Sequence, residues 1–525
     1  MAIPFSGTRL RLWPGVGFAA ALLLAACGTL PVAPDKPVSL ALADTQATRL
    51  GRATESLVRA HPGEAGMLAL ADGREAFAAR ARLAEAAERS IDVQTYIFHG
   101  DDTGTLMFDR LREAADRGVR VRLLLDDNNT VGLDPVIAML TRHANIEVRL
   151  FNPFANRSFR LGDYLTDFSR LNRRMHNKSF TVDNQATVVG GRNIGDEYFE
   201  AGQGTTFADL DVIAIGGVVR EVSEVFDRYW NSAPAYLAAP LLAGTVPADE
   251  AEFRQRVKQI RESPEAAAYV RALGDAVQVG TLLAGEAQIE WARARLIYDE
   301  PEKVIHPTDR HDLQMLPDLE ATLGKPGTTL DLVSPYFVPG EAFVHSLQTL
   351  SRRGVQVRIL TNSLAATDVS AVHAGYAKWR KDLLGAGVRL LELKPSAEPR
   401  RRTPGAGRSG TGGSTGGSSK ASLHAKTFSV DRQRIFIGSF NLDPRSARLN
   451  TEMGLVIDSP AFAARLSDAL DRVAAEVAYA LRLSPQGAVE WVDGDGTVYT
   501  SEPKTGLMRR AMVEVISWLP IDWML

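Results

Sequence analysis

The chain has a single cysteine in 525 residues, so no disulfide can form within it. An excess of one charge is also lacking. With 60 Lys and Arg against 63 Asp and Glu, the net charge is −3. That excludes a uniformly basic nucleic-acid coat, though not a local basic groove. The apolar stretch Val16 to Ala26 is too short to span a bilayer comfortably. What is present is ordinary globular composition, 45% hydrophobic and 23% charged, which argues against a largely disordered chain. The length calls for two or three domains around a sizeable core.

The N-terminus carries a processing signal rather than a fold element. Arg9 and Arg11 form a positive start, an apolar stretch follows, and Leu24-Ala25-Ala26-Cys27 closes it on the only cysteine. This resembles a bacterial lipobox, which implies cleavage before Cys27 and lipid attachment at its thiol. Acyl chains there would give stable membrane attachment. Gly28, rather than Asp, follows the cysteine. By the same resemblance, that implies a lipid-anchored place on the periplasmic side of the cell envelope, the outer membrane before the inner.

An internal repeat organises the rest. Ser90-Ile-Asp-Val-Gln-Thr-Tyr-Ile-Phe98 matches Thr329-Leu-Asp-Leu-Val-Ser-Pro-Tyr-Phe337, both strand-like. Helical patterns follow over Thr103–Arg117 and Glu341–Arg353. Then come Arg117-Gly-Val-Arg-Val-Arg-Leu and Arg353-Gly-Val-Gln-Val-Arg-Ile, a glycine helix stop running into a strand. This is β-α-β twice, which predicts parallel strands with helical crossovers. Val218–Trp230 reads as a closing helix, and Trp291–Lys303 opens the second copy. Residues 396–420 hold Arg400-Arg401-Arg402 and a Gly/Ser/Thr-rich run, a flexible insertion.

The chemistry sits at matching places in the two copies. His176-Asn-Lys178-Ser-Phe-Thr-Val-Asp183 is followed by Gly190-Gly191 and Asn193. His424-Ala-Lys426-Thr-Phe-Ser-Val-Asp431 is followed by Gly438-Ser439 and Asn441. Period two places His and Lys on one face of a strand. The segments Asp183-Asn184-Gln185 and Asp431-Arg432-Gln433 read as hairpin turns. Each copy thus offers an imidazole, an ammonium and a carboxamide, a set suited to phosphate: Lys and Asn bind oxygens, while a neutral His attacks phosphorus or moves a proton. Asp183 and Asp431 stand with the catalytic candidates, although their turn positions suit holding the hairpin at least as well.

With these two motifs, HxKxxxxD in each copy, the sequence resembles the phospholipase D superfamily. The resemblance covers essentially the whole chain after Cys27. It implies an α/β fold of two pseudo-repeated α-β-α sandwich halves forming one active site. It implies a phosphohistidine mechanism with no metal and no other cofactor. His176 is then the nucleophile and His424 the acid/base, with the reverse left open by the symmetry. Lys178, Lys426, Asn193 and Asn441 hold the phosphoryl group. An acidic residue further on orients each His: Glu452 in the second half, with Asp209 as its looser counterpart.

Further stretches resemble the bacterial cardiolipin synthase C branch: Asp126-Asp-Asn-Asn129, Thr361–Val369, Val372–Arg380 and Trp518-Leu-Pro-Ile-Asp-Trp523. That branch implies transfer of a phosphatidyl group to phosphatidylglycerol, with phosphatidylethanolamine as another donor. The partners are then phospholipids and the membrane, reached through the N-terminal lipid, with no nucleic acid. The competing classes are a hydrolytic phospholipase D, a periplasmic nuclease and an inactive structural lipoprotein. The last is poor, because neither motif has lost a His or Lys.

The expected organisation is a signal peptide over 1–26, a tether over 27–60 and a first half over 61–245. A helical connector over 246–287, a second half over 288–505 and a tail over 506–525 follow. The tail reads as core-docked, with a membrane-lying amphipathic segment as its other reading. Tyr96, Tyr336 and Trp379 either line a lipid groove or pack in the core.

Overall fold

The alternating apolar runs form strands where the repeat places them. In the first half these are β1 (Ala65–Leu70), β2 (Ser90–Thr95), β3 (Arg120–Asp126), β4 (Ile146–Phe151), β5 (Ser179–Val182), β6 (Ala186–Gly190), β7 (Thr206–Ala208), β8 (Asp211–Gly216) and β9 (Ala235–Leu237). The second half repeats them as β10 (Glu290–Tyr298), β11 (Thr329–Val333), β12 (Gln356–Asn362), β13 (Arg389–Leu393), β14 (Ala421–Leu423), β15 (Lys426–Val430), β16 (Arg434–Gly438), β17 (Met453–Asp458) and β18 (Ala478–Leu483). This computed structural model describes residues 36–200, 206–263, 277–395 and 421–519, together with Leu30 and Met524. Cys27 and the 396–420 insertion lie outside the described residues.

The two sheets have one topology. The first runs β1-β8-β6-β5-β2-β3-β4-β9, with β2, β3 and β4 parallel and the other pairs antiparallel. The second runs β10-β17-β16-β15-β11-β12-β13-β18 in the same senses. Strands β1 and β10 then pair antiparallel, with Gly66 opposite Trp291, so the halves join edge to edge. Joining these edges leaves neither of them open to pair with another chain.

The crossover helices lie where the sequence puts them, Asp102–Asp116 and Gly340–Arg352. Asp101 caps the first by accepting from the Gly104 N–H at 3.0 Å. Gly118 and Gly354 end the crossovers at φ of 91° and 87°, a region open to glycine at little cost. Ion pairs repeat as well. Arg122 on β3 grips Asp92 on β2 at 2.7 and 2.8 Å, and Arg358 on β12 grips Asp331 on β11 at 2.6 and 2.7 Å.

One apolar core is shared by both halves. Met67, Leu124, Val189, Val212, Phe226 and Trp230 from the first half pack with Leu296, Ile435, Ile437, Leu455 and Ile457 from the second. The helix Gly217–Asn231 buries Val218, Val222, Val225, Phe226 and Tyr229 on one face, the stripe expected of a closing helix. Tyr229 donates its hydroxyl to the Asp299 carbonyl at 2.6 Å, which fastens that helix to the second half.

Both motif hairpins turn as expected. Asp183 and Asn184 have φ of 51°, while Asp431 and Arg432 have φ of 54°. Positive φ at both central residues gives the turn that matches strand twist.

The structure corrects the catalytic part expected of the two aspartates. Asp183 accepts from the backbone N–H groups of Glu88, Arg89 and Ser90 at 3.0, 2.8 and 2.9 Å. Asp431 does the same for Gly327, Thr328 and Thr329. Each pins the start of the neighbouring strand, at the end of β5 or β15 away from its histidine. Asp183→Ala leaves donors stranded in a largely buried place and should cost on the order of 3 kcal/mol, read as a lower urea midpoint. Asp431→Ala should cost less, because the Gly327 and Thr328 donors are exposed and water replaces the carboxylate. A loss of turnover with unchanged stability would restore the chemical reading of these residues.

Candidate active site

Each histidine sits just ahead of its strand, since β5 begins at Ser179 and β15 at Lys426. The backbone before it is held from the end of a parallel strand. In the first half Asp126 accepts from the Met175 N–H at 2.8 Å and from Arg174 Nε at 2.9 Å. In the second half Asn362 accepts from the Leu423 N–H at 2.9 Å and donates to its carbonyl at 3.0 Å. Two stretches singled out by resemblance thus aim the histidines.

The other half holds each of these segments from the far side. His176 N–H donates to the Thr451 carbonyl and His424 N–H to the Ala208 carbonyl, both at 2.8 Å. Strands β7 and β14 pair in parallel beside His424, and Met175 bridges Thr451 beside His176.

The side chains cross over in the same way. His176 Nδ1 lies 2.7 Å from Glu452 Oε2, and His424 Nδ1 lies 2.6 Å from Asp209 Oδ2. Each imidazole is therefore oriented by a carboxylate of the opposite half. The family resemblance named both acids but not this exchange, since within a repeat nothing says which copy supplies the partner. A carboxylate on Nδ1 fixes the tautomer and leaves Nε2 for the reaction.

The lysines fold back onto their histidines. Lys178 Nζ donates to the His176 carbonyl and Lys426 Nζ to the His424 carbonyl. Lys426 Nζ also lies 3.0 Å from His424 Nδ1. The shorter carboxylate contact decides which partner that nitrogen serves. Asn193 spends Oδ1 on the Ile97 N–H at 3.1 Å, which leaves its buried Nδ2 without a hydrogen-bond partner among the described residues. Asn441 Oδ1 is likewise buried and unpartnered. Asn193 Nδ2 is a donor that a phosphoryl oxygen would satisfy, whereas Asn441 Oδ1 accepts only and calls for a donor.

Burial sets the protonation states. It pushes His176 well below the ordinary imidazole range, helped by Lys178 and Lys426. It pushes His424 down to about 3, helped first by Lys426. Each histidine feels both lysines, so the two motifs share one electrostatic environment. Lys178 falls well below its usual range and Lys426 falls to about 8, both through burial.

The two acids part company. Burial raises Glu452 to about 7 against the pull of Lys178, whereas at Asp209 burial is outweighed by His424 and Lys426, which hold it below the usual carboxylate range. Glu452 also receives hydrogen bonds from the Ser439 and Ser446 hydroxyls. In the first half Gly191 stands where Ser439 does. A Cβ there would meet Asp209 Oδ1 at 2.2 Å, so the shorter acid requires the smaller neighbour.

Aromatic rings wall the site. Tyr96 meets His176 edge to face at 4.8 Å and lies under Lys178 Nζ at 5.4 Å. Tyr198, a residue that sequence reasoning did not single out, meets His424 at 5.1 Å. Its place five residues after Asn193 was the available signal. Tyr336 donates to Asp368 at 2.8 Å, and Trp379 packs against the core of the second half.

With each imidazole held by a carboxylate of the opposite half, the two motifs make one site, that of a duplicated-motif phosphatidyltransferase. The chain belongs to the family of cardiolipin synthases with phospholipase D-like domains, whose family model matches residues 81–230 and 319–474. It is 46% identical to cardiolipin synthase C of Escherichia coli over 91% of this chain and all of that protein. It is 27% identical to cardiolipin synthase A of Pseudomonas fluorescens over 77% of this chain and 67% of that protein. Its fold is also that of the phosphatidylserine synthase from Haemophilus influenzae, with a TM-score of 0.54 at 13% identity, covering 91% of this chain and 100% of that one.

The protonation states give a narrow working range. Below pH about 7 Glu452 takes a proton and stops accepting from His176; above about 8 Lys426 loses the charge that holds phosphate. We expect kcat/KM to peak between these limits. Lys426→Arg, which stays charged, should extend the alkaline limb at the expense of rate. An unmoved limb in that variant would assign it to another group.

Proposed function

We propose that the chain is a membrane-associated phosphatidyltransferase of cardiolipin synthase type, working through a phosphohistidine. The observation that carries this reading is the exchanged pair His176–Glu452 and His424–Asp209, one dyad for each proton and bond change. The similarity to cardiolipin synthase C across the full length of that protein supports the substrate class. In this reading phosphatidylglycerol is the acceptor, and phosphatidylglycerol or phosphatidylethanolamine is the donor.

The two acids support a division of labour. Ionised Asp209 pulls against the burial that lowers His424 and would stabilise its imidazolium once a bound phosphodiester anion adds its own charge, so His424 is assigned the acid. His176, beside an acid raised to about 7, stays neutral and nucleophilic. Nε2 of His176 then bonds to phosphorus while the headgroup oxygen leaves with the proton of His424. Next, His424 takes the proton of the acceptor hydroxyl, whose oxygen bonds to phosphorus and releases His176. Lys178, Lys426, Asn193 and Asn441 hold the nonbridging oxygens as charge develops on them.

Lipid extracts of an expressing strain, with and without the chain, should differ in cardiolipin. His176→Ala and His424→Ala should each lower turnover on the order of 10³-fold or more in a folded protein, and the double variant little further, because the pair acts as a unit. With a donor whose leaving group needs little protonation, the His424 variant should accumulate a lipid adduct on His176, visible by mass spectrometry. An adduct on His424 in the His176 variant would reverse the roles.

The Leu24–Cys27 motif supports a further proposal, anchoring through Cys27 on the periplasmic side of the envelope, at the outer membrane before the inner. Cys27→Ser should release or mislocalise the chain on fractionation. An unmodified wild-type N-terminus would defeat that placement.

A further inference from the structure

Two helical segments carry their apolar stripes outward. In the helix Leu507–Ser517, Met508, Met512 and Val515 recur at i, i+4 and i+7, and Leu519 continues the row. These four are 84, 46, 57 and 48% exposed, and Trp518 beside them is 76% exposed. The opposite side does the docking: Val513 is buried against Leu364 and Ala374, and Arg509 donates to the Thr367 carbonyl. A helix that serves only to pack turns its apolar stripe to the protein. This one docks through Val513 and Ile516 and still turns a second apolar row outward.

The second segment, Arg160–Thr166 with Phe168–Leu171, repeats the arrangement. Leu161, Leu165 and Phe168 recur at i, i+4 and i+7 and are 65, 80 and 42% exposed. Its polar members face inward. Tyr164 donates to Asn128 at 2.6 Å, and Asp163 accepts from the Asn156 N–H at 2.7 Å.

Both segments lie beside the site. Phe168–Leu171 leads through Asn172 and Arg174 to His176. The Leu507–Ser517 helix sits on Ser370–Ala377, immediately after the Asp368 that holds Tyr336. Arg445, four residues beyond Asn441, donates to the Asn172 carbonyl at 2.9 Å and to the Met524 carbonyl at 2.8 Å, so one guanidinium ties the ends of both segments together.

We propose that these two stripes form a membrane-docking face that seats the mouth of the active site on a phospholipid surface. The proposal rests on the phosphatidyltransferase reading, in which the reacting phosphate lies at the depth of lipid headgroups. The chemistry of the face fits that occupant. Leu, Met, Phe and Trp side chains point out, Arg510 lies beside the stripe, Lys504 is exposed at its rim, and Glu514 is the only acid in the helix. Apolar contact with acyl chains and attraction to anionic headgroups then act together.

The test uses the full chain on phosphatidylglycerol–phosphatidylethanolamine vesicles whose acyl chains are brominated, which quenches tryptophan at membrane depth. Quenching should be greater in the wild type than in Trp518→Phe; equal quenching overturns the proposal. Leu165→Glu combined with Val515→Glu should lower turnover on vesicles by about tenfold, with turnover of a dispersed short-chain phospholipid unchanged. An equal fall on both substrates would make the stripes structural, and a dimer abolished by the same substitutions would make a second copy their occupant; either overturns the proposal. A chain inactive on both substrates defeats the functional reading instead, and the Trp518 quenching then decides docking by itself.

Discussion

The exchange of carboxylates between the halves is the constraint on which the rest depends. Neither histidine has its orienting acid within its own repeat, so neither half alone presents a competent imidazole. The β1–β10 pairing, the shared core and the Tyr229–Asp299 bond therefore serve the chemistry as well as the fold. They keep Glu452 and Asp209 within 2.7 Å of histidines that lie 276 and 215 residues away in sequence.

That constraint explains where strength is concentrated. Segments leading to the histidines are fixed twice, once from a parallel strand end of their own half and once from the backbone of the other. Asp126 and Asn362 perform the first task with different chemistry, a carboxylate gripping Arg174 and a carboxamide bonding both ways to Leu423. Burying charged and polar groups so thoroughly is costly unless each is paired. The orphaned Nδ2 of Asn193 stands out against that background, a donor that a phosphoryl oxygen would complete.

Much of this was legible in the sequence, for physical reasons. Period-two runs, glycine helix stops and turn residues are local, so the β-α-β units and the hairpins could be read directly. The His-Lys motifs were legible because they occur twice in the same register. What escaped was non-local. The partner of each histidine depends on docking, and so does the contact of Tyr198 with His424, which joins residues of opposite halves. The aspartates of the motifs stood between chemistry and holding the hairpin, because adjacency in sequence hides that an extended strand carries its two ends far apart. The tail's two readings, core-docked and amphipathic, stood side by side, since composition does not tell which face of a short helix meets the protein; Val513 is the docked residue and the other side is exposed.

The edge-to-edge junction has a consequence of its own. Two like sheets meeting antiparallel through equivalent strands, with reciprocal contacts at the site, have the form of an isologous dimer written into one polypeptide. In a true dimer any change in one copy is imposed on both. Once the copies are joined covalently they drift apart independently, and the traces are visible: Gly191 beside Asp209 on one side, Ser439 beside Glu452 on the other. The two imidazoles thus sit in matching frames beside unlike acids, one raised by burial and the other held low by its charged neighbours.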